Sequence, residues 1–286
     1  MTHEQLEIFA VAAETLNFSE TGRRLHLSQP TISQQMKTLE SQLGQALFTR
    51  SGRGLALTLA GETLLPYARR VRQEVEAADS AMKALCGEVA GPLRLGASTT
   101  IGNYWLPSRL LAFKRAYPNV TASVIIENSA ALLPLLQRGE LHLLLLEGMR
   151  PVPPGDRFGV TAFMEDRLAV VASPDMSLPE PLDFPALARL PWVLREPGSG
   201  TREVLFQALE HQGISPRALN IVLELGGTEA IKRAVEAGVG VACISTLAVE
   251  AELASGALRA LPLAGAGFQR SLWQVSPRER YLGPPA

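Results

Sequence analysis

The sequence has little of what metal, redox or nucleophilic chemistry needs. Only two cysteines occur in 286 residues, Cys86 and Cys243, far apart and without a Cys-x-x-Cys pairing, which argues against a zinc site or a dithiol centre. The four histidines, His3, His26, His142 and His211, lack metal-ligand spacing and have no evident carboxylate or nucleophile partner. Gly198 to Arg202 lacks the Gly-Lys-Ser/Thr of a P-loop, and Gly238-Val239-Gly240 is too short for a dinucleotide fingerprint. No catalytic residues, metal or cofactor are therefore expected. An apolar leader and a long apolar span are also absent, so the expected setting is the cytoplasm, with no membrane partner. Net charge is missing too: 27 Lys plus Arg balance 28 Asp plus Glu, so the chain as a whole has no general attraction for nucleic acid.

What is present begins at the N-terminus. Leu6, Phe9, Val11, Ala12, Ala13 and Leu16 place an apolar stripe on a first helix that ends near Asn17. Ser19 is the expected N-cap of a second helix burying Leu25, and Ser28 that of a third, with Pro30 in its first turn. On this third helix Ile32, Met36 and Leu39 face inward together, which turns Gln29, Thr31, Ser33, Gln34 and Lys37 outward. Gln pairs with adenine, hydroxyls meet base edges and Lys neutralises phosphate, so the face suits a recognition helix in the major groove of double-stranded DNA. A solvated helix in an ordinary bundle is the alternative.

Phe48 to Leu57 reads as a small hairpin with Gly52 and Gly54 in its turn, a wing whose Arg50 and Arg53 reach phosphate or the minor groove. The expected DNA contacts are Arg23, Ser28, Gln29, Pro30, Thr31, Ser33, Gln34, Lys37, Arg50 and Arg53. Between residues 21 and 54, Arg23, Arg24, Lys37, Arg50 and Arg53 stand against Glu40 alone, a local excess of four positive charges.

From Thr58, an expected N-cap, one long helix follows. Leu64, Ala68, Val71, Val75, Ala78, Met82 and Leu85 alternate spacings of four and three, the seam of a chain-pairing helix. Thirty helical residues reach ~45 Å. An amphipathic helix packed on its own domain is the other reading, and Pro66 is expected to kink the helix or mark its first-turn irregularity.

Leu6 to Gly61, with Phe18, Ser28-Gln29-Pro30, Ser33, Leu39-Glu40, Leu43-Gly44, Leu47-Phe48, Arg50 and Leu57-Thr58-Leu59-Ala60-Gly61, closely resembles the winged helix-turn-helix of LysR-type transcriptional regulators. One departure is Thr21-Gly22, where that family usually carries two alanines. Glycine there costs up to ~1 kcal/mol of helix propensity. The family often carries a proline where Pro66 stands. The resemblance implies a homodimer and, beyond what the residues support, a homotetramer.

Cys86 to Pro92 reads as a hinge, after which strands and helices alternate. Leu93–Ser98, Val120–Glu127 and His142–Glu147 are expected strands, separated by helices over Asn103–Ala116 and Ala130–Arg138. Further strands near Leu168–Ser173, Trp192–Arg195, Ile221–Leu225 and Val241–Ile244 alternate with helices near Thr201–Gln212 and Thr228–Ala237. The order predicts parallel sheets in two α/β lobes with a ligand cleft between them.

The expected organisation is α+β and multidomain: a winged helix-turn-helix over 1–57, a dimerisation helix over 58–88 and an effector domain over 89–286. Its first lobe takes about 91–162 and 269–286, and its second about 163–268. The resemblance implies a co-inducer domain similar to periplasmic solute receptors, with a strand near Ser271–Val275 returning to the first lobe. The sequence ends soon after, at Ala286, without the closing helix that many members of the family carry.

Arg195-Glu196-Pro197-Gly198-Ser199-Gly200-Thr201-Arg202 is a Gly-rich loop entering a helix, where free backbone N–H groups, hydroxyls and a guanidinium suit a small anion. Ser98-Thr99-Thr100 forms a matching loop after the first strand of this domain. The expected effector contacts are Ser98, Thr99, Thr100, Ser129, Gly198, Ser199, Thr201, Arg202 and Thr228. Simple helix capping is the alternative for each hydroxyl. The Gly-Ser-Gly-Thr-Arg pattern is similar to that of LysR-type members sensing sulfur oxyanions or phosphorylated carbon-fixation metabolites, which implies an anionic co-inducer. An enzyme on the same two-lobed scaffold would need an acid, base or nucleophile, and the cleft hydroxyls supply no base. A solute receptor without regulatory output is the remaining alternative.

Overall fold

The computed structural model describes residues 1–51, 54–153, 157–178, 182–262 and 268–278. The chain forms two compact units, one built on Met1–Pro92 together with Gln137–Glu140 and the other on Leu93–Leu136 and the chain from Leu141 onward.

In the first unit, α1 (His3–Thr15) opens on a reciprocal cap in which the Gln5 amide N–H donates to Thr2 Oγ1 and Gln5 Oε1 accepts from the Thr2 N–H. Its stripe buries Leu6, Phe9, Val11 and Ala12, whereas Ala13 is half-buried and Leu16 is exposed in a left-handed C-cap. α2 (Phe18–Leu25) is capped by Asn17 and not by Ser19: Asn17 Oδ1 accepts from the N–H groups of Ser19 and Glu20 at 2.9 and 3.2 Å. The helix starts earlier than expected because Phe18 enters its first turn and packs edge-on against Phe48, with ring centres 5.4 Å apart. Gly22 has its own reason. A Cβ there would come 2.5 Å from the Leu27 carbonyl oxygen, so glycine allows the turn after α2 to lie tightly against the helix.

α3 (Gln29–Leu43) starts at Ser28, whose Oγ accepts from the Thr31 N–H at 3.3 Å. Ile32, Met36 and Leu39 are buried on it with Phe9, Leu47 and Ala68. β1 (Phe48–Ser51) and β2 (Gly54–Leu57) pair antiparallel as the expected hairpin. Glu40 ties the hairpin to α3 by accepting from the Leu47 and Phe48 N–H groups at 2.7 and 3.1 Å.

α4 (Leu59–Leu85) is capped by Thr58, whose Oγ1 accepts from the Gly61 N–H at 3.1 Å, and Pro66 lies inside it. Its seam divides. Leu64, Ala68 and Val71 pack into the core of the first unit, whereas Val75, Ala78, Met82 and Leu85 are exposed, Leu85 by 81%.

The second unit comprises β3 (Gly91–Ser98), a π-helical turn Ile101–Trp105 leading into α5 (Leu106–Ala116), β4 (Val120–Glu127), α6 (Ser129–Gln137), β5 (Leu143–Gly148) and β6 (Phe158–Ala172). There follow α7 (Phe184–Arg189), β7 (Pro191–Arg195), α8 (Gly200–His211), β8 (Asn220–Leu225), α9 (Thr228–Glu236), β9 (Ala242–Ser245), α10 (Thr246–Ser255), β10 (Arg259–Ala260) and β11 (Phe268–Pro277). One sheet runs β10-β6-β11-β5-β3-β4 with β9 also on β6, while β7 and β8 form a parallel pair. The parallel arrangement expected throughout holds for β3 with β5 and for β7 with β8, but β11 is antiparallel to β5 and β6, and β9 is antiparallel to β6.

The expected strand near Leu168–Ser173 is the end of a strand that starts ten residues earlier, at Phe158. Glu165-Asp166-Arg167 looks like a strand break, yet this charged stretch is paired across to β11. β6 and β11 serve both lobes: Leu168 and Phe268 lie in one apolar cluster with Trp192 and Leu205, whereas Phe158 and Val275 lie in another with Leu132 and Leu144. A β-bulge interrupts their register between Leu272 and Trp273. Beside it, Trp273 Nε1 donates to the Gly148 carbonyl at 3.0 Å, pinning β11 to the end of β5.

Candidate DNA interface and effector cleft

Helix α3 turns its polar face to solvent. Ser28, Gln29, Pro30, Thr31, Gln34 and Lys37 are exposed and Ser33 is half-buried. Arg50 is exposed on β1, whereas Arg53 lies outside the described residues. Gln29 and Arg50 line one concave surface of about 370 Å³ together with Asn17, Phe18, Ser19, Gly54 and Leu55, so the hairpin and the starts of α2 and α3 form one open cleft. Asn17 and Ser19 were not expected there as lining residues; the signal was their place at the start of α2.

Arg23 is exposed, but it is held by Glu20 through contacts of 2.7 and 2.9 Å, and Arg24 reaches the same carboxylate at 3.3 Å. The hydrogen bonds from Arg23 and its neighbour hold Glu20 below the usual carboxylate range. The local positive excess is therefore smaller than the residue count over 21–54 suggests, because Glu20 lies just outside that window and acts inside it.

In the second unit two buried arginines join the expected loops. Arg270 Nη1 donates to Thr201 Oγ1 at 2.8 Å and its Nη2 to Thr100 Oγ1 at 3.2 Å. Arg195 Nη2 donates to Thr99 Oγ1 at 3.1 Å and its Nη1 to Thr228 Oγ1 at 3.3 Å. Four of the expected hydroxyls thus meet at two guanidinium groups, neither of which was among the expected contacts. Arg195 was legible as the opening residue of the Gly-rich loop, and the one arginine of strand β11 was the signal for Arg270.

Each guanidinium carries internal carboxylates. Arg270 bonds Asp166 at 2.7 Å and faces Glu147 at 3.4 Å. Arg195 bonds Glu196 in a fork, Nε to Oε2 and Nη2 to Oε1, both at 2.8 Å. Burial pushes the Glu196 carboxyl up, but the Arg195 bonds and charge outweigh it and hold the group below the usual carboxylate range. Arg202 points its charge elsewhere, donating to the Arg195 carbonyl at 2.7 Å and to Glu224 at 2.5 Å, beside the Phe206 ring.

The loop positions are fixed by close backbone approach. Gly198 has φ +88°, and a Cβ at Gly200 would lie 2.2 Å from the Glu147 carbonyl oxygen, so the loop sits directly on the end of β5. Ser129 Oγ donates to that carbonyl at 3.1 Å. Tyr104 joins the two sides again: its hydroxyl donates to Glu229 on α9 at 2.5 Å, and burial followed by this bond raises its pKa.

Two hydroxyls remain. Ser98 and Ser199 are fully buried, and among the described residues neither Oγ has a hydrogen-bond partner. Ser199 occupies the N-cap position of α8 yet makes no capping bond. Capping does not account for it.

Residues 3–62 match the family of bacterial regulatory helix-turn-helix proteins, lysR family, and residues 87–286 match the LysR substrate binding domain. The HTH-type transcriptional regulator CbbR of Rhodospirillum rubrum is 34% identical over 282 residues, covering 99% of this chain and 92% of its own. A probable RuBisCO transcriptional regulator of Cyanidioschyzon merolae is 31% identical over 287 residues, covering 100% and 95%. The regulatory domain of Synechocystis CcmR, solved in complex with 2-PG, aligns with a TM-score of 0.60 and 26% identity over 68% of this chain and 90% of its own. Among the described residues no helix is long and apolar enough to cross a membrane. The chain belongs to the LysR family: it is a DNA-binding transcriptional regulator, not an enzyme, and its second unit is a small-molecule effector domain.

Proposed function

We propose that this regulator works in the cytoplasm, reads DNA with residues 1–57, pairs chains through residues 58–88 and senses a small oxyanion with residues 89–286. The anion is a sulfur oxyanion or a phosphorylated carbon-fixation metabolite. The observation that carries this reading is the pair of buried, unpartnered hydroxyls of Ser98 and Ser199, each on a loop that also supplies a hydroxyl to Arg195 or Arg270. A buried hydroxyl without a partner costs free energy, and an oxyanion would supply an acceptor to each. The 2-PG bound to the CcmR regulatory domain agrees with an effector of this kind.

The exposed half of the α4 seam supports pairing into a homodimer, and two dimers bridging two DNA segments make the homotetramer of our reading. Ligand in the cleft shifts the population between two relations of the lobes, which changes the spacing of the DNA-reading heads and the bend imposed on the promoter.

The test is a thermal-shift series on the full chain with sulfate, sulfite, thiosulfate, phosphate, sugar phosphates and 2-PG. A ligand bound only by the native state raises the midpoint. We expect one of these anions to do so, and Ser199→Ala to reduce the shift. No shift with any of them moves the assignment to a neutral or aromatic effector.

A further inference from the structure

Arg195 and Arg270 present the same chemistry with different freedom. Asp166, the partner of Arg270, is its direct neighbour across two paired strands and is fully buried, so that ion pair is part of the sheet. Glu196, the partner of Arg195, is the next residue in the chain, at the end of β7 where the Pro197-Gly198-Ser199 turn begins. Its side chain keeps 24% exposure while that of Arg195 keeps 4%. A rotation of one side chain at the mouth of a loop would release the fork.

The fork itself is the geometry by which a guanidinium takes a carboxylate, phosphate or sulfate. Glu196 fills it with two bonds of 2.8 Å. Ser98, next to Thr99 on the same guanidinium, and Ser199, whose amide donates to the Glu196 carbonyl at 3.3 Å, are the buried hydroxyls that lack partners. We infer that Glu196 is an internal competitor for the effector: its carboxylate occupies the Arg195 fork in the ligand-free protein and yields that seat to the incoming oxyanion. This inference rests on the anionic-effector reading above.

Displacement has a structural consequence. Asn128 Nδ2 donates to Glu196 Oε1 at 3.3 Å, while Asn128 Oδ1 accepts from the Ala131 N–H at the start of α6. When Glu196 leaves the fork, the Asn128 bridge breaks with it, so occupancy of the site is passed to α6. The competitor sets the effector concentration needed for response and carries the first movement.

The test is isothermal titration of the full chain and of Glu196→Gln with phosphate, sulfate and 2-PG at one pH and ionic strength. Removing the competing charge is expected to tighten the anion that binds by about tenfold, a coupling of ordinary size. If none of the anions binds either protein, the anionic reading fails and this inference falls with it. If an anion binds the natural chain and Glu196→Gln binds it equally or more weakly, the anionic reading stands and the competition is overturned. Should Glu196→Gln not fold, Glu196→Asp withdraws the carboxylate from the fork, and the same tightening supports the inference while its absence refutes it.

Discussion

Arg270 on β11 and Asp166 on β6 are direct cross-strand partners, and their charged groups meet at 2.7 Å where neither side chain is exposed by more than 1%. The same guanidinium reaches Thr100 and Thr201, so one ion pair within the sheet fixes the two loops of the proposed effector cleft. Removing one partner strands a buried charge. Arg270→Met should cost ~3–5 kcal/mol of stability, read as a lower urea midpoint. Arg270→Met combined with Asp166→Leu should cost less than the two single changes together. Simple additivity would show that the pair is not coupled.

The two cysteines should differ in reactivity. Cys86 is exposed at the end of α4, whereas burial, partly opposed by Arg270 and reinforced by Asp166, pushes the Cys243 thiol up to about 12. At pH 8 its thiolate fraction is then on the order of one in ten thousand. A native thiol titration should therefore count one group per chain, and a denatured one should count two. Rapid native labelling of Cys243 would contradict its burial.

For DNA, Gln29→Ala should lose ~1–3 kcal/mol at the specific site and relax its sequence preference. Arg50→Ala should instead weaken all sequences alike and reduce the slope of log affinity against log salt by ~0.9 for each phosphate that the arginine neutralises. Titrations at several salt concentrations separate the two effects. An unchanged slope would take Arg50 out of the interface.

The divided seam of α4 gives two opposite outcomes for one kind of substitution. Met82→Glu or Leu85→Glu, at exposed positions, should leave the monomer folded and shift sedimentation toward the monomer. Leu64→Glu, within the first core, should lower the melting midpoint of the winged helix-turn-helix itself. Dimers that persist in the Met82 and Leu85 variants would place chain pairing elsewhere.

The α3 core, the hairpin and the long helix were legible because their signals are local: Ile32, Met36 and Leu39 repeat at helical spacing, and Ser28 and Thr58 cap where expected. The loops of the cleft were legible for the same reason, as turns between periodic segments. What joins them was not. Arg270 reaches Asp166 across 104 positions and Arg195 reaches Thr99 across 96, and no short-range pattern encodes such a pairing. The expected strand near Leu168–Ser173 stopped short of the charged stretch around Asp166, whose carboxylate is buried with Arg270 as its partner. Asn17 was missed as a cap because Ser19 offers a capping oxygen two residues later, whereas the packing of Phe18 against Phe48 draws Phe18 into the helix.

β6 and β11 set how the effector domain can move. Two continuous strands that serve both lobes and stay hydrogen-bonded through their shared length permit bending and twisting but not separation. The bulge at Leu272 and Trp273 is where the register of that ribbon shifts, and Trp273 ties it to Gly148, which lies against Gly200. Movement of one lobe against the other would therefore pass through this shared pair of strands, which can flex or twist while its ladder stays paired.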